Sequence, residues 1–246
     1  MKLDWAQTAS LIAGAILLGI NKTAIPGLGL LPVVLLASTF DPRLATGLQL
    51  GMIVLADVFA VTWYRRHADW KILLKLLPWA LPGIALGSLA LNWIPPDDTL
   101  LMRRMIGVAV LLLAAGSVIR KRLAPEQIPT GIGFSAFFGI LLGFFTQLAN
   151  AAGPVAAIYF LSMRLDKEKY MGCSAWFFLI VNWIKVPIFV LEKRITLESV
   201  QLSLAMLPFL LLGGIAGIVL LKRISREKFE ALIQILVVAA AVKLLI

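Results

Sequence analysis

The sequence predicts an all-α integral membrane protein of about ten hydrophobic segments in two inverted five-segment repeats, with broken or re-entrant helices at the repeat joints. Three observations predict it. Of 246 residues, 61% are hydrophobic and only 15% charged, far from the balance of a water-soluble domain. Apolar stretches recur to the end of the chain, separated by short charged connectors. The second half also repeats, in order, glycine, proline and aspartate positions of the first.

The segments run at about 6–20, 26–39, 44–64, 70–93, 100–119, 130–148, 151–163, 170–191, 197–220 and 227–246. The first is read as retained rather than as a cleaved signal, because its apolar run continues into patterned sequence with a counterpart later in the chain. The second opens at Ala24-Ile25-Pro26-Gly27, where proline suits a first helical turn because its missing N–H has no helical partner there. The third, fourth and fifth are ordinary apolar stretches, long enough to span a bilayer as helices. The sixth leads into a joint, Asn150-Ala151-Ala152-Gly153-Pro154, that opens the seventh by the same logic as Pro26. Segments two and seven are short, and each follows a polar, glycine-containing joint instead of a charged loop. The eighth, ninth and tenth complete the second unit.

The repeat rests on specific matches. At an offset of 124, Leu17, Leu18, Gly19 and Gly29 meet Leu141, Leu142, Gly143 and Gly153; at 125, Asp41, Gly47 and Asp57 meet Asp166, Gly172 and Asn182; at 130, Pro78, Gly83 and Gly87 meet Pro208, Gly213 and Gly217. The expected units are residues 1–123 and 124–246 of a single transport domain. An odd number of segments per unit makes the second unit enter from the opposite side. With ten crossings, the connectors after the odd-numbered segments carry fifteen Lys and Arg, and those on the other side seven. The richer side is expected to be cytoplasmic, with both termini outside a cell (inner) membrane.

The net charge of +10 does not point to nucleic acid, because the basic residues sit in connectors such as WYRRHADWK (63–71) and IRKRL (119–123). One cysteine, Cys173, leaves no internal disulfide, and no Cys/His cluster suggests a metal; no cofactor is expected. No Ser/His/Asp constellation suggests an enzyme, and His67 reads as a solvated loop residue. Trp5, Trp63, Trp70 and Trp93 fall near segment ends, as interface anchors do, while Trp176 and Trp183 lie deeper.

Inverted repeats around interrupted helices point to a secondary transporter with its site where the units meet. A helix that begins inside the membrane offers unpaired N–H groups and a partial positive charge, and so can receive an anion. The candidate site is built from Asn21, Lys22, Thr23, Gly27 and Gly29 at the first joint and Thr146, Gln147, Asn150 and Gly153 at the second. Lys22 supplies a full charge, or alternatively snorkels to the interface. The glycines allow close approach either of a ligand or of a neighbouring helix. Four further intramembrane polar residues need partners: Asp57, Asn182, Lys185 and, more weakly, Gln49. A charge at the bilayer centre costs about 2.5–3.5 kcal/mol on insertion scales. Asp57 is expected either to carry a proton that couples transport or to form an ion pair with Lys185 or Lys22.

The joint GINKTAIPGLGLLPVVLL, the connector DPRLATG, the run LPWALPGIALGSLAL and the later TQLANAAGPVAAIYFL and NWIKVPIF together resemble the sulfite exporter TauE/SafE family of membrane transporters, over nearly the full chain. The resemblance implies transport of a small sulfur-containing oxyanion such as sulfite, thiosulfate or an organosulfonate. The expected partners are that anion and the lipid bilayer, as a monomer or homodimer. An uncoupled anion channel of the same architecture is the alternative. A membrane-embedded enzyme lacks its clustered groups, and a cation or metal carrier lacks intramembrane carboxylates.

Overall fold

In the computed structural model, the described residues are 3–23, 29–95, 98–120, 131–163 and 165–220, with the single positions 235, 238 and 242. Among them the fold is all-helical: α1 (Trp5–Thr23), α2 (Leu30–Thr39), α3 (Pro42–Tyr64), α4 (Trp70–Asn92), α5 (Thr99–Arg120), α6 (Ile132–Ala149), α7 (Gly153–Ser162), α8 (Lys167–Leu191), α9 (Leu197–Ala205) and α10 (Leu207–Leu220). A 3₁₀ turn, Arg65–His67, extends α3. The expected segment 227–246 and Gly27 lie outside the described residues, apart from the isolated helical positions 235, 238 and 242.

Local sequence explains where the helices start. Asp41 caps α3 by accepting from the N–H groups of Arg43 and Leu44, with Pro42 in the first turn. Asp166, 125 residues later, caps α8 by accepting from Lys169 N–H at 2.8 Å. Asp69 and Asp98 do the same for α4 and α5. Segment nine is not one straight helix. It divides at Met206 into α9 and α10, bent by 46°; Pro208, two residues on, has no N–H to continue the α9 ladder.

Four described helices, α3, α4, α6 and α8, are long and apolar enough to cross a membrane alone, and α9 with α10 makes a fifth span if the bent pair is counted as one. By contrast α2 and α7 have ten residues each, about 15 Å of helix against a hydrocarbon core of about 30 Å. Neither can span it alone. The start of α1 meets the end of α2 through Ser10 Oγ and Thr39 Oγ1 at 2.8 Å, so α1 and α2 form a hairpin closed by the first joint. Ser135 of α6 meets Tyr159 of α7 at 2.9 Å, and α6 with α7 forms a second hairpin closed by the other.

The tightest helix pairs are α4 with α6 and α1 with α10, and both rest on glycine. A Cβ on Gly19 would run into the Leu210 carbonyl, and one on Gly213 into that of Ile16; on Gly143 it would meet Ala80 O, and on Gly83 Ile140 O. Close approach of backbones is the means by which helices associate where lipid removes the hydrophobic drive between them. The helices α3 and α8 cross antiparallel: Gly47 abuts Arg194, Asp57 meets Asn182, and Gly172 abuts His67.

Polarity is distributed as a lipid-facing protein requires. Leu74, Leu89, Leu112, Leu212 and Ile215 are exposed, whereas Asp57, Asn182, Lys185, Gln147 and Arg194 are buried. Trp5 and Trp93 are 85% and 87% exposed at helix ends, where an indole has one face for lipid and an N–H for water.

Candidate functional site

Both joints line one cavity. Its walls include Asn21, Lys22 and Gly29 from the first joint, Thr146, Asn150 and Gly153 from the second, and Phe178 and Asn182 from α8. The first joint is held by Asn21, whose Oδ1 accepts from Gly29 N–H at 2.9 Å. The second turns on Asn150, which ends α6 in the left-handed conformation (φ 53°) with its N–H bonded to the Phe145 and Thr146 carbonyls. Asparagine is one of the few side chains that accept this geometry. Its amide is thereby aimed across the cavity wall.

A continuous polar chain runs behind that wall. Lys22 forms an ion pair with Asp57 and lies over the Phe178 ring, 4.4 Å from its centre. Asn182 donates to the other Asp57 oxygen at 2.7 Å. Three residues along α8, Lys185 donates to Thr146 Oγ1 at 2.9 Å, Asn150 Oδ1 at 2.6 Å and Asn182 Oδ1 at 3.3 Å. Three oxygen partners match the three donors of an ammonium. The cluster thus holds two lysines against one carboxylate, and Lys185 is the lysine with no acidic hydrogen-bond partner among the described residues.

The expected residues divide under this geometry. Asn21, Lys22, Gly29, Thr146, Asn150, Gly153 and Asn182 line the cavity; Asp57 and Lys185 stand directly behind it. Thr23 does not reach it: its hydroxyl donates to Gly19 O and Gly214 O, within the α1–α10 contact. Gln147 points the other way, to Ser88 and Glu192, because it is the next residue after Thr146 on a helix whose successive side chains lie about 100° apart. Gln49 is buried on α3, and its amide nitrogen has no hydrogen-bond partner among the described residues. Of the deep tryptophans, Trp183 is exposed and Trp176 packs on Trp70 with ring centres 5.2 Å apart.

Sequence reasoning missed a second polar cluster at the end where α3 begins and α8 ends. Arg194, 1% exposed, donates to Thr46 Oγ1 at 3.0 Å, the Gln147 carbonyl at 3.2 Å and Glu192 at 3.1 Å, with its guanidinium 3.5 Å from the Phe189 ring centre. Burial pushes the guanidinium down to about 10, with Glu192 opposing the shift, so it stays cationic at neutral pH. The two clusters are joined, since Asn150 Nδ2 donates to the Thr46 carbonyl at 2.9 Å. In the sequence, LEKR (191–194) reads as an ordinary charged connector. Only the match of Gly47 and Gly172, each abutting the loop beyond the opposite long helix, carries a signal that this loop is packed.

An all-helical, multi-pass membrane protein with charged groups gathered inside around a cavity, and apolar groups outside, has the build of a transporter. The sequence profile of the sulfite exporter TauE/SafE family matches residues 11–244, and the chain belongs to that family of membrane transporters. No curated protein and no solved structure matches it.

Proposed function

We propose that the protein is a secondary transporter of a small sulfur-containing oxyanion, which it receives in the cavity between the two joints. The observation that carries this reading is that residues of both joints line one cavity backed by two lysines and one aspartate. In this arrangement Thr146, Asn150, Asn21 and Asn182 offer neutral hydrogen bonds to the anion. Lys185 supplies the uncompensated positive charge, and the joint N–H groups, including that of Gly153, complete the receptor. The cavity measures about 40 Å³, room for roughly three water-sized groups. That is the size class of a three-oxygen anion such as sulfite; an organosulfonate needs the cavity to widen.

The halves 1–123 and 124–246 act in this reading as inverted repeats that rock about the cavity. Supporting it, equivalent positions make reciprocal contacts: Gly19 and Gly143 each meet the fourth long segment of the other half, and Asp57 touches its own counterpart Asn182. The Tyr64 end is assigned to the cytoplasm of a cell membrane from the basic connectors, with both chain termini on the far side. Asp57 is the proposed coupling site: a proton on its carboxylate releases Lys22 to the anion.

The test is accumulation of sulfite by the protein in proteoliposomes under an imposed proton gradient. Uphill, pH-driven accumulation that disappears in Asp57→Asn supports coupled transport. Flux that only ever runs down the sulfite gradient overturns coupling and leaves uncoupled passage, as through a channel.

A further inference from the structure

The Glu192 carboxylate sits in a receptor of its own. Its oxygens accept from Ser88 Oγ at 2.9 Å, from Gln147 Nε2 at 3.1 and 3.4 Å, and from Arg194 Nη1 at 3.1 Å. A guanidinium, an amide and a hydroxyl converging on two oxygens from α4, α6 and the loop after α8 is a donor set for a small oxyanion. The donors are fixed. Arg194 is clamped by Thr46, the Gln147 carbonyl and the Phe189 ring, and Gly87 lets α4 lie directly against Gln147, where a Cβ would come within 2.8 Å of Gln147 Cβ.

The anion is the part that can leave. The Glu192 side chain is 15% exposed against 1% for Arg194, and it stands on a loop whose next residue, Lys193, has φ 56°. The pairing is also incomplete. Buried Arg194 Nη2 and Gln147 Oε1 have no hydrogen-bond partner among the described residues, whereas a buried pair that serves only to hold structure satisfies its donors.

We propose that Ser88, Gln147 and Arg194 form a second oxyanion station, occupied by Glu192 in the resting protein, and that the transported anion exchanges with the Glu192 carboxylate on its way to or from the cavity. Replacing the carboxylate by a monoanion such as hydrogensulfite leaves the charge of the buried cluster unchanged, so passage leaves no bare guanidinium. The route onward is built in: Thr46 accepts from Arg194 through its hydroxyl and from Asn150 through its carbonyl, and Asn150 accepts from Lys185. This rests on the reading of the chain as an oxyanion transporter, but it concerns a different set of residues.

Calorimetric titration of sulfite into the full chain in lipid nanodiscs separates the two. The wild type binds one equivalent, in the cavity; Glu192→Gln, which removes the competing charge and keeps an acceptor for Ser88, binds a second equivalent with an affinity at least about tenfold above any second phase of the wild type. Glu192→Gln combined with Arg194→Gln returns to one. In Lys185→Met the cavity equivalent weakens by about a hundredfold, and adding Glu192→Gln restores one tight equivalent. If Glu192→Gln binds one equivalent with wild-type affinity, the second station is overturned while the cavity stands. If the wild type binds none and Glu192→Gln binds one, the station stands and the cavity reading fails. Glu192→Asp, which keeps the charge but retracts it by one methylene, reads the same question should the Gln variant not fold; a second equivalent supports the station, and its absence overturns it.

Discussion

The two joints solve the same problem with different chemistry. At the first, the cation is on the hairpin helix itself, Lys22 of α1, and Asp57 of α3 pairs with it. At the second, the position 124 residues after Lys22 is Thr146, and the lysine comes from α8 as Lys185, held by Thr146, Asn150 and Asn182 with no carboxylate among those three. In that sense the first joint is closed, its lysine paired with a carboxylate, and the second is open. The two halves share the helix caps Asp41 and Asp166 while the lysine at each joint comes from a different helix.

The largest expected effect breaks the closed side. Asp57→Asn leaves Lys22 and Lys185 buried with no carboxylate between them, and breaking a buried pair costs about 3–5 kcal/mol. Thermal melting in detergent should fall accordingly and recover in Lys22→Met/Asp57→Asn, which removes both charges; a single variant as stable as the wild type would mean the pair is not buried as described.

Packing at the two hairpins is next. Gly143→Ala and Gly19→Ala each drive a Cβ into a carbonyl of the facing helix, and overpacking of this kind costs about 1–3 kcal/mol. Gly133, near the start of α6, has nothing within 4 Å of an added Cβ, so Gly133→Ala should be neutral or stabilising. Equal melting temperatures for all three would remove the glycine contacts as the basis of the interfaces.

The smallest effects sharpen the comparison at the caps. Asp41→Ala and Asp166→Ala should each cost about 1 kcal/mol and leave sulfite affinity unaltered, since neither side chain lines the cavity. A loss of affinity in one alone would show that the two halves differ in more than charge.

Much of this was legible in the sequence, for identifiable reasons. Apolar length placed the helices of segments one to eight within a few residues, because burial and bilayer thickness act on composition, but it did not show the break at Met206 in segment nine. The joints were visible because glycine, proline and asparagine cluster there without a charged loop; single prolines such as Pro78, Pro82 and Pro187 sit inside continuous helices. What sequence could not supply was direction around a helix axis: Thr146 and Gln147 are neighbours in the chain, yet one lines the cavity and the other turns to Glu192. Thr23 likewise looks like a site residue beside Lys22 and proves to be a hydrogen-bonded spacer against Gly214. Arg194 hid in a connector because charge alone does not distinguish a solvated loop from a buried one; its burial depends on Gly47 of α3, 147 residues away.

The central claim is that the open joint carries the charge that binds the anion. Sulfite affinity measured by titration calorimetry in nanodiscs, for Lys185→Met beside the double variant Lys22→Met/Asp57→Asn, tests it most directly. Lys185→Met takes away the lysine charge behind the cavity and should weaken the cavity equivalent by about a hundredfold, the order of a short-range Coulomb attraction at an effective dielectric of about 20. The double variant keeps one net positive charge and should lose no more than about tenfold. Wild-type affinity in Lys185→Met, with the loss confined to the double variant, would contradict the account and return the anion to Lys22.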